Sequence, residues 1–197
     1  MKSNKKGLIV KWKPHIKDSF NYITESRNYI YFIVALFFLS GIIGFVFSSQ
    51  LNFLDNFIRN IIEKTSDLRG INLILYIFSN NLGVAFGTLF FGIVFGIIPL
   101  INVISNGLIL GYVFSKTYAV SGISDFWRIL PHGIFELPAI FISLGLGLKM
   151  GAFFFSKNPR KEFNYRIANS IKTFVFVVAP LLVLAAIIEG LLIILTE

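Results

Sequence analysis

The sequence predicts an all-α integral membrane protein, a helical bundle with about five transmembrane helices, and three observations lead to this class. Hydrophobic residues, including 23 Phe, make up 55% of the 197 positions, and the mean hydropathy is +0.76, well above that of ordinary soluble domains. Five apolar runs reach the roughly 17 to 25 residues that cross a bilayer. Basic residues concentrate in two segments outside these runs, as the positive-inside rule expects of membrane proteins.

The apolar runs divide the chain into a basic juxtamembrane segment, residues 1–28, and one transmembrane domain, residues 29–197. The predicted spans are Tyr29 to Phe47, Leu82 to Pro99, Val103 to Ala119, Leu130 to Phe154 and Phe174 to Leu195. Because proline breaks a helix, Pro99 is expected to end the second span and to start a tight hairpin into the third. Residues 71–79 are also apolar, and the sequence leaves open whether they extend the second span.

Two further segments have helical periodicity outside the spans. Around Pro14, apolar side chains fall near one face with lysines opposite, which predicts a basic amphipathic helix on the inner membrane surface with Pro14 in its first turn. A second apolar stripe predicts a surface helix on the outer side. The apolar positions of the two helices are Trp12, Ile16, Phe20 and Ile23, and then Leu54, Phe57, Ile58, Ile61 and Ile62.

The basic residues predict the orientation in the membrane. Seven precede the first span and six lie between the fourth and the fifth, so both rich segments fall on one side, which is expected to be cytoplasmic. The N-terminus is then cytoplasmic and the C-terminus outside, in a multi-pass protein of the cell membrane. The net charge of +8 is explained by this orientation, and no nucleic-acid partner is expected.

Glycines recur at GxxxG spacing, which places two positions without side chains on one helix face so that another backbone can approach closely. The four pairs are Gly83/Gly87, Gly92/Gly96, Gly107/Gly111 and Gly147/Gly151. They predict close packing within the chain, or contact between copies in a homo-oligomer.

Polar residues inside the spans predict a buried cluster in the outer half of the bundle. His132 and Glu136 are four residues apart and therefore share a helix face. Glu136 and Glu189 are expected at one depth, roughly 9 Å inside the outer ends of their spans, and Asn80 with Asn81 enter from the same side. Pro138 would leave a backbone carbonyl unpaired one turn away. Asn102 and Asn106 form a separate polar feature near the inner end.

Such a cluster has several readings. Buried polar groups can fasten helices together in lipid, or two carboxylates and a histidine can hold or exchange a proton or cation. His132, Glu136 and Glu189 also have a spacing compatible with a metal site, although no HExxH motif is present. No resident cofactor is expected otherwise. The spans offer no assembled nucleophile, so catalytic activity is not expected.

Several of these residues resemble a known family. The segment LPHGIFELPAIFISLGLGLKMG, residues 130–151, contains Pro131 and Gly133 in its PHGxxEL core. With Asn80 and Asn81, the Asn106-Gly107-x-x-x-Gly111 stretch and the Ala186 to Gly190 run, it is similar to the stage II sporulation protein M family of multi-pass membrane proteins. In spore-forming bacteria this resemblance implies a membrane scaffold that recruits peptidoglycan-degrading partners. The family also has members of unassigned activity in other bacteria and in archaea, so the sporulation role does not follow from the resemblance alone.

The sequence therefore predicts a non-enzymatic scaffold or assembly component of a membrane complex. Its expected partners are the lipid bilayer, other membrane or envelope proteins, and a second copy through the GxxxG faces. The alternative is a small ion or proton channel or transporter that uses the polar cluster.

Overall fold

The structure is a computed structural model that describes the backbone of residues 4–196 and the side chains of residues 12–123, 136–188 and 190. The described chain is mostly helical and contains no strand, and five of its helices are long and apolar enough to cross a membrane. These observations confirm the all-α fold class. The helices are α1 (Asn4–Glu25), α2 (Arg27–Val46), α3 (Leu54–Thr65), α4 (Gly70–Phe91), α5 (Ile97–Ser121), α6 (Phe126–Gly151), α7 (Pro159–Thr173) and α8 (Ala179–Thr196).

The second and third membrane helices begin and end differently from the sequence expectation. Residues 71–79 belong to α4, which starts at Gly70 and ends at Phe91. The chain then turns through residues 92–96, where Gly96 has a φ of 70°, a value that glycine adopts without strain. Pro99 lies in the first turn of α5 instead of ending the preceding helix. The first turn tolerates proline because its N–H groups need no helical partner.

The chain crosses the bundle alternately, which defines two ends. We call the end with the start of α2, the end of α6 and α7 the basic end, and the opposite end, with α3, the far end. At the far end, Tyr112 of α5 donates a hydrogen bond to Asp55 of α3 at 2.5 Å. Lys116 donates to Asn52 at 3.1 Å, just before α3. These contacts fasten the predicted surface helix to the bundle.

The last helix extends beyond the bilayer at the basic end. A π-helical turn at Phe174–Val178 joins α7 to α8, giving one helical segment of about 57 Å, against about 30 Å for the hydrocarbon core. The predicted amphipathic helix α1 packs on this extension, because Trp12 and His15 both contact the ring of Phe176, with ring centroids 5.8 and 5.5 Å apart. Helix α1 starts at Asn4, so Pro14 is interior to it and not in its first turn.

Helix α6 lies at the centre of the bundle. In the described part of its membrane span, Glu136–Phe155, half of the residues are buried. In α4 the buried share is 17%, the lowest among the described parts of the five spans. Glycines bring the other helices close to it: a Cβ on Gly147 would lie 2.6 Å from the carbonyl oxygen of Thr88, and one on Gly151 would lie 2.5 Å from that of Gly92. Since those positions cannot hold a larger residue without displacing backbone, three of the four predicted GxxxG pairs serve packing within the chain, the third being Gly107/Gly111 of α5 against α2.

Candidate functional site

A buried lysine marks the basic end of the bundle. Lys149, near the end of α6, is only 5% exposed. Its Nζ atom lies 2.8 Å from Glu25 Oε1 and 3.0 Å from Ser26 Oγ, and 3.9 Å from the ring centre of Tyr22. A carboxylate, a hydroxyl and an aromatic face therefore replace the water that the ammonium group loses on burial.

The junction of α1 and α2 positions two of these partners. Glu25 ends α1, Arg27 begins α2, and Ser26 lies between them. The hydroxyl of Ser26 donates to the carbonyl oxygen of Tyr22 at 2.6 Å and accepts from Lys149. The break between the helices thus directs two consecutive acceptors, Glu25 at the end of α1 and Ser26 at the break, onto the same ammonium group.

Helix α7 completes the arrangement. The phenol of Tyr165 donates to the second carboxylate oxygen of Glu25 at 2.8 Å. Arg166 donates to the backbone carbonyl of Lys149 at 2.5 Å and to Glu162 at 3.0 Å. We call Tyr22, Glu25, Ser26, Lys149, Tyr165 and Arg166 the basic-end network. It ties α1, the start of α2, the end of α6 and α7 into one unit.

The network also shifts proton equilibria in α1. Burial raises the pKa of Glu25, but the hydrogen bonds from Lys149 and Tyr165 outweigh it, and the pKa of this carboxyl falls below its ordinary value. Burial raises the pKa of the Tyr22 phenol, so this ring stays neutral at physiological pH. Glu25 is therefore an anion when the network is formed.

Acid is expected to weaken the basic-end network through Glu25. A carboxyl whose pKa is lower in the folded than in the unfolded chain stabilises the fold above its unfolded pKa, about 4.3, and this stabilisation is lost as the pH falls through the folded pKa. The free energy of unfolding in detergent should therefore fall between about pH 5 and pH 3 by more in the wild type than in Glu25→Gln. Parallel pH profiles for the two proteins would contradict this assignment.

The cluster predicted from the sequence is distributed over three helices that all pack on one another, α4, α6 and α8. Asn81 and Glu136 are both half-buried, whereas Asn80 is exposed. Neighbouring residues of an α-helix point about 100° apart, so one of the two amides faces the bundle and the other faces away from it. Asn80 is therefore not a buried member of the cluster.

The helix bounds place Glu136 and Asn81 deeper than the sequence suggested and leave Glu189 close to its expected depth. Because α6 starts at Phe126 and α4 at Gly70, Glu136 and Asn81 lie about 15 and 16 Å from the far ends of their helices. Glu189 lies about 10 Å from the end of α8 at Thr196. Measured in this way, Glu189 lies about one helical turn nearer the far end than Glu136 and Asn81.

The other predicted site residues fall into two groups. The side chains of His132, Glu189, Pro131 and Gly133 lie outside the described residues, so the predicted metal site is described only at Glu136. Among the described residues there is no group of three metal-ligating side chains. Pro138 is exposed, and Asn106 is exposed too, donating to the backbone and side-chain oxygens of Asn102, both at 2.9 Å.

Sequence reasoning counted Lys149 as a loop charge that reports orientation, and so missed the basic-end network. Two signals were present in the sequence. Lys149 falls within the predicted fourth span, residues 130–154, and Glu25 is an acid at the end of a strongly basic segment. Only the folding of α1 and α7 back onto α6 shows that these charges meet.

Comparison with known proteins agrees with this architecture. The model of the family described as stage II sporulation protein M matches residues 33–192. An uncharacterized protein of Methanocaldococcus jannaschii is 28% identical over 182 residues, covering 84% of this chain and 81% of the relative. No solved structure matches. The family model covers α2 from residue 33, α8 as far as residue 192 and the three membrane-crossing helices between them. The chain belongs to the stage II sporulation protein M family.

Proposed function

We propose that this protein is a non-enzymatic scaffold of a membrane complex, which binds its partner at the basic end. The observation that carries the proposal is the basic-end network, which ties α1 and α7 to the end of α6. Buried ion pairs are costly to form unless their geometry is good. Here the ammonium group has three partners from α1 and the start of α2, and the cost secures the position of a platform outside the bilayer.

The platform formed by α1 and α7 presents charge to its surroundings. Lys13 and Lys17 on α1 and Arg160 and Lys161 on α7 are exposed. The rings of Tyr22 on α1 and Tyr165 on α7 pack edge to face with their centroids 5.9 Å apart, so the two helices are held together. A fixed basic surface beside a membrane suits an acidic face of a partner protein.

Two surface grooves of the described bundle are lined by apolar residues. One of about 340 Å³ lies between α4 and α8, and another of about 260 Å³ lies between α2 and α5. Neither is lined by charged side chains. This supports a role in assembly over one in chemistry.

The platform is placed on the cytoplasmic side by the positive-inside rule. The start of α2 and the end of α8 lie at opposite ends of the bundle, so the C-terminal end of α8 would then face outward across the cell membrane. The expected partner is accordingly a cytoplasmic protein or a membrane protein with an acidic cytoplasmic segment.

A channel or transporter is the second candidate, because α4, α6 and α8 pack on one another and carry Asn81, Glu136 and Glu189 about 10 to 16 Å from the far ends of the helices. Acidic groups at such depth are costly in lipid and are often part of an ion or proton path. This reading uses the middle of the bundle, whereas the scaffold uses its basic end.

A reconstitution experiment separates the two candidates. The full chain in liposomes is expected to leave imposed proton and potassium gradients intact, and Glu136→Gln is expected to change nothing. In cells, a photo-crosslinking residue at Lys161 should capture a discrete partner protein, while the same probe at the lipid-facing position Leu184 should not. A gradient that collapses with the wild type and is preserved by Glu136→Gln or Glu189→Gln would contradict the scaffold proposal and support the channel.

A further inference from the structure

One polar side chain in the middle of a membrane helix faces out of the bundle. Asn80 is halfway along α4, about 15 Å from Gly70, and its side chain is exposed. Within the part of the chain that the structure describes, its amide makes no hydrogen bond. In a bilayer this position faces hydrocarbon, where an amide without partners is unfavourable by a few kcal/mol.

Asn106 is another exposed asparagine in a membrane-crossing helix, but its amide has hydrogen-bond partners. Its nitrogen donates to two oxygens of Asn102 one turn earlier, so it is satisfied within its own helix. Position 76, one turn before Asn80, is a tyrosine whose ring also faces outward. The Asn80 amide therefore needs a partner from outside α4.

The neighbours of Asn80 form a regular seam on the same face. Tyr76, Asn80, Gly83, Gly87 and Phe90 follow one another at intervals of four and three residues in turn. This is the spacing of helices that pack as a left-handed pair, in which a single buried asparagine fixes register and partner number. All five side-chain positions are exposed or half-buried.

The two glycines of the seam differ from the glycines that pack within the chain. A Cβ on Gly83 or Gly87 would have no atom within 4 Å, whereas one on Gly107 would lie 2.5 Å from the carbonyl oxygen of Phe37. This GxxxG pair alone, of the four in the sequence, is not used for packing in the described chain. The space it leaves beside Asn80 would admit another helix backbone.

From the exposed amide and its seam, we propose that α4 pairs with α4 of a second copy of this chain around a two-fold axis, with the two Asn80 side chains hydrogen-bonded to each other. An amide carries both donors and an acceptor, so each of two identical side chains related by two-fold symmetry can donate one hydrogen bond to the other and accept one from it. A lipid offers no donor or acceptor at this depth. Helix α4 is also the least buried of the five membrane-crossing helices, which leaves this face accessible.

The experiment measures association of the full chain in liposomes by energy transfer between two labelled populations, over a range of protein-to-lipid ratios. The wild type is expected to dimerise, and Asn80→Leu is expected to weaken the dimer about tenfold, in line with the loss of paired interhelical hydrogen bonds. The matched control Asn106→Leu removes an exposed amide from α5 and should leave association unchanged. Thermal unfolding of each variant in detergent confirms that the monomer is folded.

A second measurement locates the interface without removing the amide. The chain has no cysteine, so a single cysteine at Tyr76 or Gly87 should form a disulfide between copies on oxidation, while one at Leu184 of α8 should not. A monomer at every ratio would overturn the proposal, and so would a dimer that Asn80→Leu leaves unchanged or that crosslinks through α8. The proposed interface does not depend on the proposed function. If the chain dimerises through α4 but the probe at Lys161 captures no partner, the scaffold proposal is contradicted and the interface is still supported.

Discussion

Replacing Glu25 with alanine is expected to lower the free energy of unfolding by about 3 kcal/mol, and by more than the loss of its partner Lys149 does. Removing one member of a buried ion pair leaves the other charge without compensation, at a cost of about 3 to 5 kcal/mol. We expect the lower value because the side chain of Glu25 is 48% exposed, whereas the side chain of Lys149 is 6% exposed. Without Glu25, the buried ammonium group keeps only Ser26 and the ring of Tyr22.

Replacing Lys149 instead of Glu25 tests the expectation that the loss of Glu25 is the more destabilising of the two. Lys149→Met removes the buried charge and keeps most of the side-chain volume, while the half-exposed Glu25 can take water and keeps its bond from Tyr165. The expected loss is about 1 kcal/mol. Asp18→Ala is the matched control, because it removes an acid from the same helix that pairs with Lys172 at 3.1 Å on the surface, and exposed pairs contribute at most about 1 kcal/mol. Equal losses in Glu25→Ala and Asp18→Ala would show that the basic-end network does not hold the platform.

Gly111→Ala, which adds one methyl group, is expected to lower the free energy of unfolding about as much as Glu25→Ala does. A Cβ at this position would overlap the backbone carbonyl of Gly41 in α2, so the two helices must move apart along the closest contact in the bundle. Overpacking of this kind costs about 1 to 3 kcal/mol, and we expect the upper value because the obstacle is backbone and not a side chain that can rotate.

Gly83→Ala is the control for Gly111→Ala, since it makes the same chemical change at a glycine with no atom within 4 Å. At a detergent dilution that separates the copies of the proposed dimer, it should be neutral or stabilise the helix by up to about 1 kcal/mol. Unfolding by denaturing detergent, followed by circular dichroism, gives both values. A neutral Gly111→Ala would mean that α2 and α5 do not pack through their glycines.

Hydropathy alone predicted the number of membrane-crossing helices, because lipid offers no hydrogen bonds to the backbone and only helices or closed barrels can cross it. The ends of the helices were less predictable. Pro99 was expected to stop a helix and instead lies in the first turn of one, while residues 92–96 form the turn. Glycines in that turn lie against α6, and a contact between segments distant in sequence cannot be read from local preference.

For the candidate site residues, too, the sequence predicted their position along the helices but not their orientation. The sequence by itself determined that Asn80, Asn81, Glu136 and Lys149 lie within or beside membrane-crossing helices, since position along an apolar run fixes depth in the bilayer. Only the tertiary structure decided which way they face: Asn81 toward the bundle, Asn80 away from it, and Lys149 into a pocket built by α1 and α7. The physical reason is that a helix fixes the angles between its own side chains, but its rotation about its axis is set by the neighbours it packs against.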